Sequence, residues 1–217
     1  MFLKKKIILI VFALSLIFVF LYKNQNNSSN SQIGGNFELT NHLGQKVTNE
    51  SFNGYYRLVF FGFTNCPDFC PNTLNNIGMI IDEIDKNDLL VPIFITVDPE
   101  RDTVLKLKNY LSNFNSKIIG LSGTNLQIND VKEKYKIFSK KVMETDEKNK
   151  TVHDHHKDHD HGGYGVDHTT IIYLMDKKGN YITHLNPDTT NTGAIKKING
   201  KRCRLKLINE NPLITLR

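Results

Sequence analysis

The sequence predicts an α/β fold, in which helices cover a central mixed β-sheet. Two apolar runs typical of buried strands, residues 57–63 and 91–97, are separated by an amphipathic helical segment. A second amphipathic segment follows at residues 102–114, and two later apolar runs within residues 169–185 are separated by a short polar turn. Alternating strands and helices favour parallel neighbours, whereas a hairpin adds antiparallel ones, so we expect a mixed sheet.

The first elements of the domain surround the longest apolar run. Residues 37–52 predict two short strands around a turn at Gly44, and residues 57–63 (RLVFFGF) predict a buried strand. A helix is expected from about Pro71, because apolar residues then recur at three- and four-residue steps. These apolar residues are Leu74, Ile77, Ile80, Ile81 and Ile84.

The later elements continue the alternation of strands and helices. Residues 91–97 (VPIFITV) predict a second buried strand, and residues 102–114 predict a helix with Asp102 as its N-cap. The remaining expected elements are a strand at 117–120, a helix at 126–135, a strand at 137–143, a hairpin of 169–176 with 181–185, and a weakly helical tail from about Thr192.

The amino-terminal segment predicts a membrane anchor. Residues 7–22 are almost entirely apolar and would span roughly 24 Å as a helix, close to a bilayer core of about 30 Å. A cleaved signal peptide is the alternative, but no small-x-small cleavage site follows. The lysines at residues 4–6 leave the amino terminus in the cytoplasm and export the remainder. We expect an anchor at 1–22, a flexible tether at 23–36 and a domain at 37–217.

Composition narrows the classes of function. The chain has 217 residues without an internal repeat, which is enough for one core. Its net charge of +6 is not accompanied by a nucleic-acid-binding motif, so we expect no nucleic acid partner. Three cysteines are too few for a disulfide-built scaffold. Cys66 and Cys70 therefore stand out as a pair, while Cys203 is expected to be an incidental thiol.

The cysteine pair lies in FTNCPDFCPNTL, where the predicted strand at 57–63 gives way to the predicted helix. A helix amino terminus favours thiolate over thiol, and Pro71 suits the first helical turn. The spacing of Cys66 and Cys70 differs from the C-x-x-C of thioredoxins, and no histidine follows as in haem attachment. A structural disulfide, a redox couple and a metal site all remain open from these residues.

A metal site would need a further ligand. Two thiolates suit a soft ion such as copper(I), and an imidazole can serve as its third ligand. The candidate histidines are His42, His168, His184 and the cluster His153, His155, His156, His159 and His161. His168 is the best placed, at the mouth of the predicted buried strand, although it could simply donate to Asp167. The histidine-rich loop at 153–163 is either a loose metal-binding segment or a solvated loop.

Four stretches follow one another in this order within residues 37–185: FGFTNCPDFCP, TVDPERDT, GLSGT and VDHTTIIYLMDKKGNY. Together they resemble the Sco/SenC family of copper-handling proteins of cytochrome c oxidase assembly. The resemblance implies a thioredoxin-like fold, an amino-terminal membrane anchor and copper ligands at Cys66, Cys70 and His168. Asn65 stands where the family commonly has histidine, and an assisting role for Asp98 is a further hypothesis.

The resemblance implies a copper metallochaperone whose partner is cytochrome c oxidase subunit II, at its copper A site, or one of the assembly factors. A membrane-anchored thiol-disulfide reductase that keeps the recipient cysteines reduced is the alternative, and it needs Cys66 and Cys70 but not His168. Peroxidase chemistry is disfavoured because Phe63, not threonine, lies three residues before Cys66. Without an Arg- and Ser-rich transit peptide, a bacterial inner membrane with a periplasmic domain is favoured over a mitochondrial one.

Overall fold

The elements of the fold are seen in a computed structural model, which describes residues 33–84, 89–143, 164–187 and 189–210. The strands are β1 (Glu38–Asn41), β2 (Lys46–Thr48), β3 (Tyr56–Gly62), β4 (Leu90–Thr96), β5 (Ile119–Ser122), β6 (Ser139–Met143), β7 (Tyr164–His168), β8 (Ile172–Met175) and β9 (Tyr181–Leu185). The helices are α1 (Phe69–Ile84), α2 (Val104–Leu111), α3 (Asn125–Lys134) and α4 (Asn191–Glu210).

The described strands form a mixed seven-stranded sheet and a separate two-stranded ribbon. The sheet order is β2-β1-β5-β4-β3-β8-β9, and the ribbon pairs β6 with β7. Strands β3, β4 and β5 run parallel, whereas β8 lies antiparallel on the other side of β3. The predicted mixed sheet is therefore confirmed, and the carboxyl ends of its three parallel strands share one edge.

Apolar side chains pack on both faces of the sheet. Leu58 and Phe60 of β3 join a cluster with side chains of α1, α2 and α4, whereas Val59 and Phe61 join a cluster with side chains of α3. This alternation follows from the two-residue period of a strand, and it explains why β3 is apolar from Leu58 to Phe61. Burying a side chain of this size contributes roughly 1.5–3 kcal/mol, so β3 is the main anchor of both layers.

Helix α1 confirms the predicted apolar face. Leu74, Ile77, Ile80 and Ile81 are buried, and Ile84 is partly buried. The helix begins at Phe69, before the expected start near Pro71. Both cysteines consequently lie closer to the helix than the sequence indicated: Cys70 is its second residue.

The start of α2 corrects one prediction. Thr103, not Asp102, is the N-cap, and its side chain accepts a hydrogen bond from the Lys106 amide. Asp102 is wholly buried and directs its carboxylate towards the loop after β3. The helix also ends at Leu111, earlier than the expected residue 114, because Ser112 already acts as its C-cap.

The ribbon of β6 and β7 corrects a second prediction. His168 was expected at the mouth of the strand within residues 169–176, but it is the last residue of β7, and the sheet strand β8 begins only at Ile172. Ser139 of β6 pairs with His168 in the ribbon register. The ribbon, rather than the sheet, therefore positions this side chain.

The amino-terminal part of the described chain packs against α3. The compact unit begins at Ile33, and the Gly34 amide donates to the Lys134 carbonyl oxygen at 2.9 Å. The predicted anchor at residues 1–22 lies outside the described residues. Within the described ranges, no helix combines the length and the apolar character that crossing a membrane requires.

Candidate metal centre

The cysteine pair lies where β3 meets α1, at the carboxyl edge of the parallel strands. Cys66 is in the connecting loop and Cys70 is in the first turn of α1. The Cys70 amide donates a hydrogen bond to Cys66 Sγ at 3.4 Å. One of the amide groups that a helix leaves unpaired at its start therefore supports the sulfur of Cys66, as expected for a thiolate at this position.

The two thiols are free, and they differ in environment. Cys70 is fully buried, whereas Cys66 is partly exposed. The pKa of Cys66 is lowered to about 4, chiefly by the hydrogen bond from the Cys70 thiol and against the effect of burial. The same interaction with Cys66, together with burial, raises the pKa of Cys70. The pair thus shares one proton, which stays on the buried sulfur.

His168 comes into contact with the pair from a distant part of the chain. Its Nε2 lies 3.8 Å from Cys70 Sγ, although the two residues are 98 positions apart. Its Nδ1 lies 3.0 Å from the Thr169 carbonyl oxygen, which can only accept, so Nδ1 carries the proton and Nε2 presents a lone pair to the sulfurs. The ring of Phe63 meets the imidazole edge-on at 5.7 Å between centroids and holds its orientation.

The three donors suit a soft metal ion. With bond lengths of about 2.3 Å to sulfur and about 2.0 Å to nitrogen, two ligands of one trigonal ion stand roughly 3.7 Å apart. The observed 3.8 Å between Cys70 Sγ and His168 Nε2 agrees with this separation. Among the described residues, no group of three or more His, Cys, Asp or Glu side chains is placed to hold a metal ion without rearrangement.

A buried carboxylate holds the loop that carries Cys66. Asp102 accepts hydrogen bonds from the Thr64 amide at 3.0 Å, the Thr64 hydroxyl at 2.5 Å and the Thr96 hydroxyl at 2.6 Å. Burial raises the pKa of Asp102, while the hydrogen bonds from Thr64 and Thr96 lower it. This anchoring role was missed in the sequence, since an aspartate before a helical pattern also fits an N-cap.

The surrounding side chains brace the site further. Asp98, buried at the end of β4, forms an ion pair with Arg101, whose guanidinium lies 5.9 Å from the centre of the Phe63 ring. The Asp98 carbonyl oxygen also accepts a hydrogen bond from the Asp102 amide at 2.9 Å. Asn65, the residue before Cys66, accepts a hydrogen bond from the Lys106 ammonium group of α2.

Gly62 allows the buried sulfur to approach the sheet. A Cβ atom at this position would lie 2.8 Å from Cys70 Sγ and 2.7 Å from the Phe94 ring. Real Cβ atoms do not come so close to other atoms, so only glycine fits here without displacing Cys70.

The other candidate residues lie apart from this group. His42 Nδ1 accepts a hydrogen bond from the Gly120 amide, and burial lowers its pKa. His184 is exposed and bonded to the Tyr181 hydroxyl. Cys203 falls within α4. The histidine-rich loop at 153–163 lies outside the described residues.

Comparison with known proteins identifies the family. Residues 25–201 match the SCO1/SenC family. An SCO2-like protein of Rickettsia conorii is 39% identical over 162 residues, which cover 74% of this chain and 73% of that protein.

Solved structures agree with the fold. The chain matches Arabidopsis thaliana ScoI with copper bound at a TM-score of 0.69 and 32% identity, over 79% of this chain and 99% of that one. It matches Bradyrhizobium japonicum ScoI with copper bound at 0.65 and 39% identity, over 78% of this chain and 99% of that one. The fold is therefore thioredoxin-like with a central mixed sheet, and the chain belongs to the SCO1/SenC family.

Proposed function

We propose that the chain is a copper metallochaperone that binds a copper ion through Cys66, Cys70 and His168. The observation that carries the proposal is the 3.8 Å contact between Cys70 Sγ and His168 Nε2 across 98 positions of sequence. A stapling disulfide or a simple redox pair has no use for an imidazole whose lone pair faces the sulfurs. Relatives whose structures were solved with copper bound support the choice of metal.

The chemistry follows from the three donors. Cys66 is already ionised at neutral pH, since its pKa is about 4. Cys70 gives up its proton when copper binds, so loading releases protons and weakens as the pH falls. His168 can offer Nε2 to the metal because its Nδ1 faces the Thr169 carbonyl oxygen. Copper is the cargo here, held by two soft thiolates and one imidazole.

We infer that the recipient is the copper A site of cytochrome c oxidase subunit II, reached directly or through assembly factors. Cys66 is more exposed than Cys70, so a recipient thiolate can approach the metal on that side while Cys70 and His168 hold it from within. Transfer by exchange of one thiolate for another keeps the ion coordinated throughout.

We further propose the setting of this activity. Residues 1–22 anchor the chain in a bacterial inner membrane, with the lysines at residues 4–6 in the cytoplasm. The thioredoxin-like domain then lies in the periplasm, tethered near the membrane that holds the oxidase.

Thiol-disulfide reduction is a second candidate function, which the difference between the two thiols favours. The ionised Cys66 would attack a recipient disulfide and form a mixed disulfide, releasing a recipient thiolate. Cys70 would then lose its proton and attack Cys66, which releases the second recipient thiol and leaves a disulfide between Cys66 and Cys70. Two electrons pass to the recipient in this sequence.

Copper titration against a competing chelator tests the main proposal. The reduced wild-type chain is expected to bind one copper ion tightly. His168→Ala is expected to lower the copper affinity by about a hundredfold or more, because replacing a group that only hydrogen-bonds to a metal ligand already lowers affinity by about 10- to 100-fold. His184→Ala is the matched control, because that histidine is exposed and apart from the cysteines. Failure of the wild type to bind one copper ion would refute the proposal.

A second experiment separates the two functions. His168→Ala should abolish oxidase assembly while leaving thiol exchange with a model disulfide intact. Normal assembly in this variant would favour the reductase over the metallochaperone.

A further inference from the structure

A cleft lies beside the metal centre, between α3, the loop after β4 and the ribbon of β6 and β7. Its volume is about 340 Å³. Asn125, Ile128 and Lys132 of α3 line one side, with Glu100 and Lys141 among the residues opposite. The proposed metal site does not use this cleft.

The cleft adjoins the metal centre through the ribbon. Ser139, which lines the cleft, pairs with His168 in the register of β6 and β7. Val166, also in the lining, precedes His168 by two residues, and positions two apart share a face of a strand. A molecule bound in the cleft would therefore contact the ribbon that carries His168.

Lys132 gives the cleft an uncompensated positive charge. Its side chain is partly buried, and its ammonium group has no hydrogen bond or ion pair within the described part of the chain. Burial lowers the pKa of Lys132. By contrast, Glu100 is paired with Lys141 at 2.5 Å and with Asn125 at 3.1 Å, and Asp98 is paired with Arg101.

Two exposed apolar side chains lie on the segments that line the cleft. Leu126 belongs to α3 and is 82% exposed, while Phe138 directly precedes β6 and is 62% exposed. A partly dehydrated lysine is costly to leave unpaired, and a carboxylate would relieve that cost. Exposed apolar groups on the same segments suit a polypeptide, which can reach beyond the cleft, better than a small free anion.

We propose that this cleft docks an acidic segment of the recipient protein, with one of its carboxylates paired to Lys132 and apolar neighbours against Leu126 and Phe138. The inference deepens the proposed function, on which it rests, by stating the chemistry of the recipient surface. Docking here would hold the recipient next to the ribbon end at His168 during copper transfer.

Charge variants of the full chain in detergent test the proposal. The probe is the soluble copper A domain of oxidase subunit II from the same organism, and the measurement is its dissociation constant at low and high salt. Lys132→Gln is expected to weaken binding about tenfold and Lys132→Glu more, with a smaller salt dependence in both. Lys178→Glu, in the turn before β9, is the control and should change the constant less than twofold.

Carbodiimide coupling gives a second measurement that does not depend on a variant folding. It joins amines only to carboxylates in direct contact, so mass spectrometry should find Lys132 linked to an aspartate or glutamate of the probe. Wild-type affinity in Lys132→Glu, an equal loss in Lys178→Glu, or displacement of the probe by acetate at constant ionic strength would each overturn the proposal.

Copper titration of each variant distinguishes a failure of the docking proposal from a failure of the proposed copper function. One tightly bound copper ion in Lys132→Glu together with weaker docking supports the cleft. Absence of tight copper binding in the wild type would refute the proposed function itself, whatever the docking result.

Discussion

At the scale of residues, the feature that matters most is the difference between two cysteines four positions apart. The first turn of α1 directs the Cys70 amide at Cys66 Sγ, and the absence of a side chain at Gly62 leaves room for Cys70 Sγ against the sheet. A chemically symmetric pair thus becomes one partly exposed thiolate and one buried thiol. Exposure suits Cys66 for exchange with a partner, and burial suits Cys70 for retaining the metal.

The pH dependence of alkylation tests this difference. In a Cys203→Ser background, one thiol of the reduced metal-free chain should react quickly with iodoacetamide. Because the pKa of Cys66 is lowered to about 4, its rate should stay nearly constant as the pH falls from 8 to about 5, and halve only near pH 4. An ordinary thiol, with a pKa of about 8.5, would slow about tenfold per pH unit over the same range.

Cys70→Ala provides the control, because it removes the hydrogen bond that contributes most to the shift. The midpoint of the rate profile should then move to higher pH. A wild-type rate that already falls tenfold per unit below pH 8 would contradict the assigned ionisation.

At the scale of elements, the loop between β3 and α1 is hydrogen-bonded to Asp102, which lies in the connection between β4 and α2. Asp102 receives three hydrogen bonds from Thr64 and Thr96, and Ser122 of β5 donates to its carbonyl oxygen at 3.0 Å. The carboxyl ends of the three parallel strands are therefore joined around one buried carboxylate. The loop that carries Cys66 owes its position to this network rather than to its own sequence.

Replacement of Asp102 tests the network. Asp102→Ala leaves the Thr64 amide and two hydroxyls without their acceptor, and it should lower the free energy of unfolding by about 3 kcal/mol. Asp130→Ala is the matched control, since its 2.7 Å ion pair with Lys134 is exposed and should contribute less than about 1 kcal/mol. Denaturant unfolding measures both, and equal losses would contradict the anchoring role.

At the scale of the whole molecule, the carboxyl and amino ends of the parallel strands have different roles. The cysteines, Asp102 and the cleft all lie at the carboxyl ends of the parallel strands. At the opposite end of β3, the fully buried Arg57 donates to Asn49 at 2.5 Å and to Asn53 at 3.2 Å, tying the 3-10 turn Asn49–Phe52 to the sheet. The carboxyl ends of the strands thus carry the cysteines, whereas Arg57 braces the opposite end of β3.

Copper binding should stabilise the entire domain. A ligand that binds only the folded state at a free concentration of a hundred times its dissociation constant adds about 2.7 kcal/mol, or about 5–10 °C in melting temperature for a domain of this size. The wild type should show this increase, and a chelator should reverse it. An equal increase in His168→Ala would place the bound metal elsewhere on the chain.

The sequence predicted local structure better than it predicted how distant parts meet. The apolar run of β3 and the spacing along α1 led directly to the position of Cys66 and Cys70, because both patterns are local. Asp102 was misassigned as an N-cap, since its partners Thr64 and Thr96 lie on other elements. His168 was correctly predicted to lie near the cysteines, but it was expected next to the sheet strand β8 and not at the end of β7. The strands β6 and β7 are short and polar and show no clear hydrophobic periodicity, so their pairing was not predicted.

The sequence by itself determined the alternation of strands and helices, the reactive setting of the cysteines at a helix start, and the family. These follow from periodicity and short motifs, which act over a few residues. Only the tertiary structure decided that the ribbon of β6 and β7 brings His168 to Cys70, that Asp102 holds the loop of Cys66, and that Lys132 lies in a cleft beside the ribbon. Those arrangements depend on strand register and packing between segments far apart in the chain, and such contacts form only when the whole sheet is assembled.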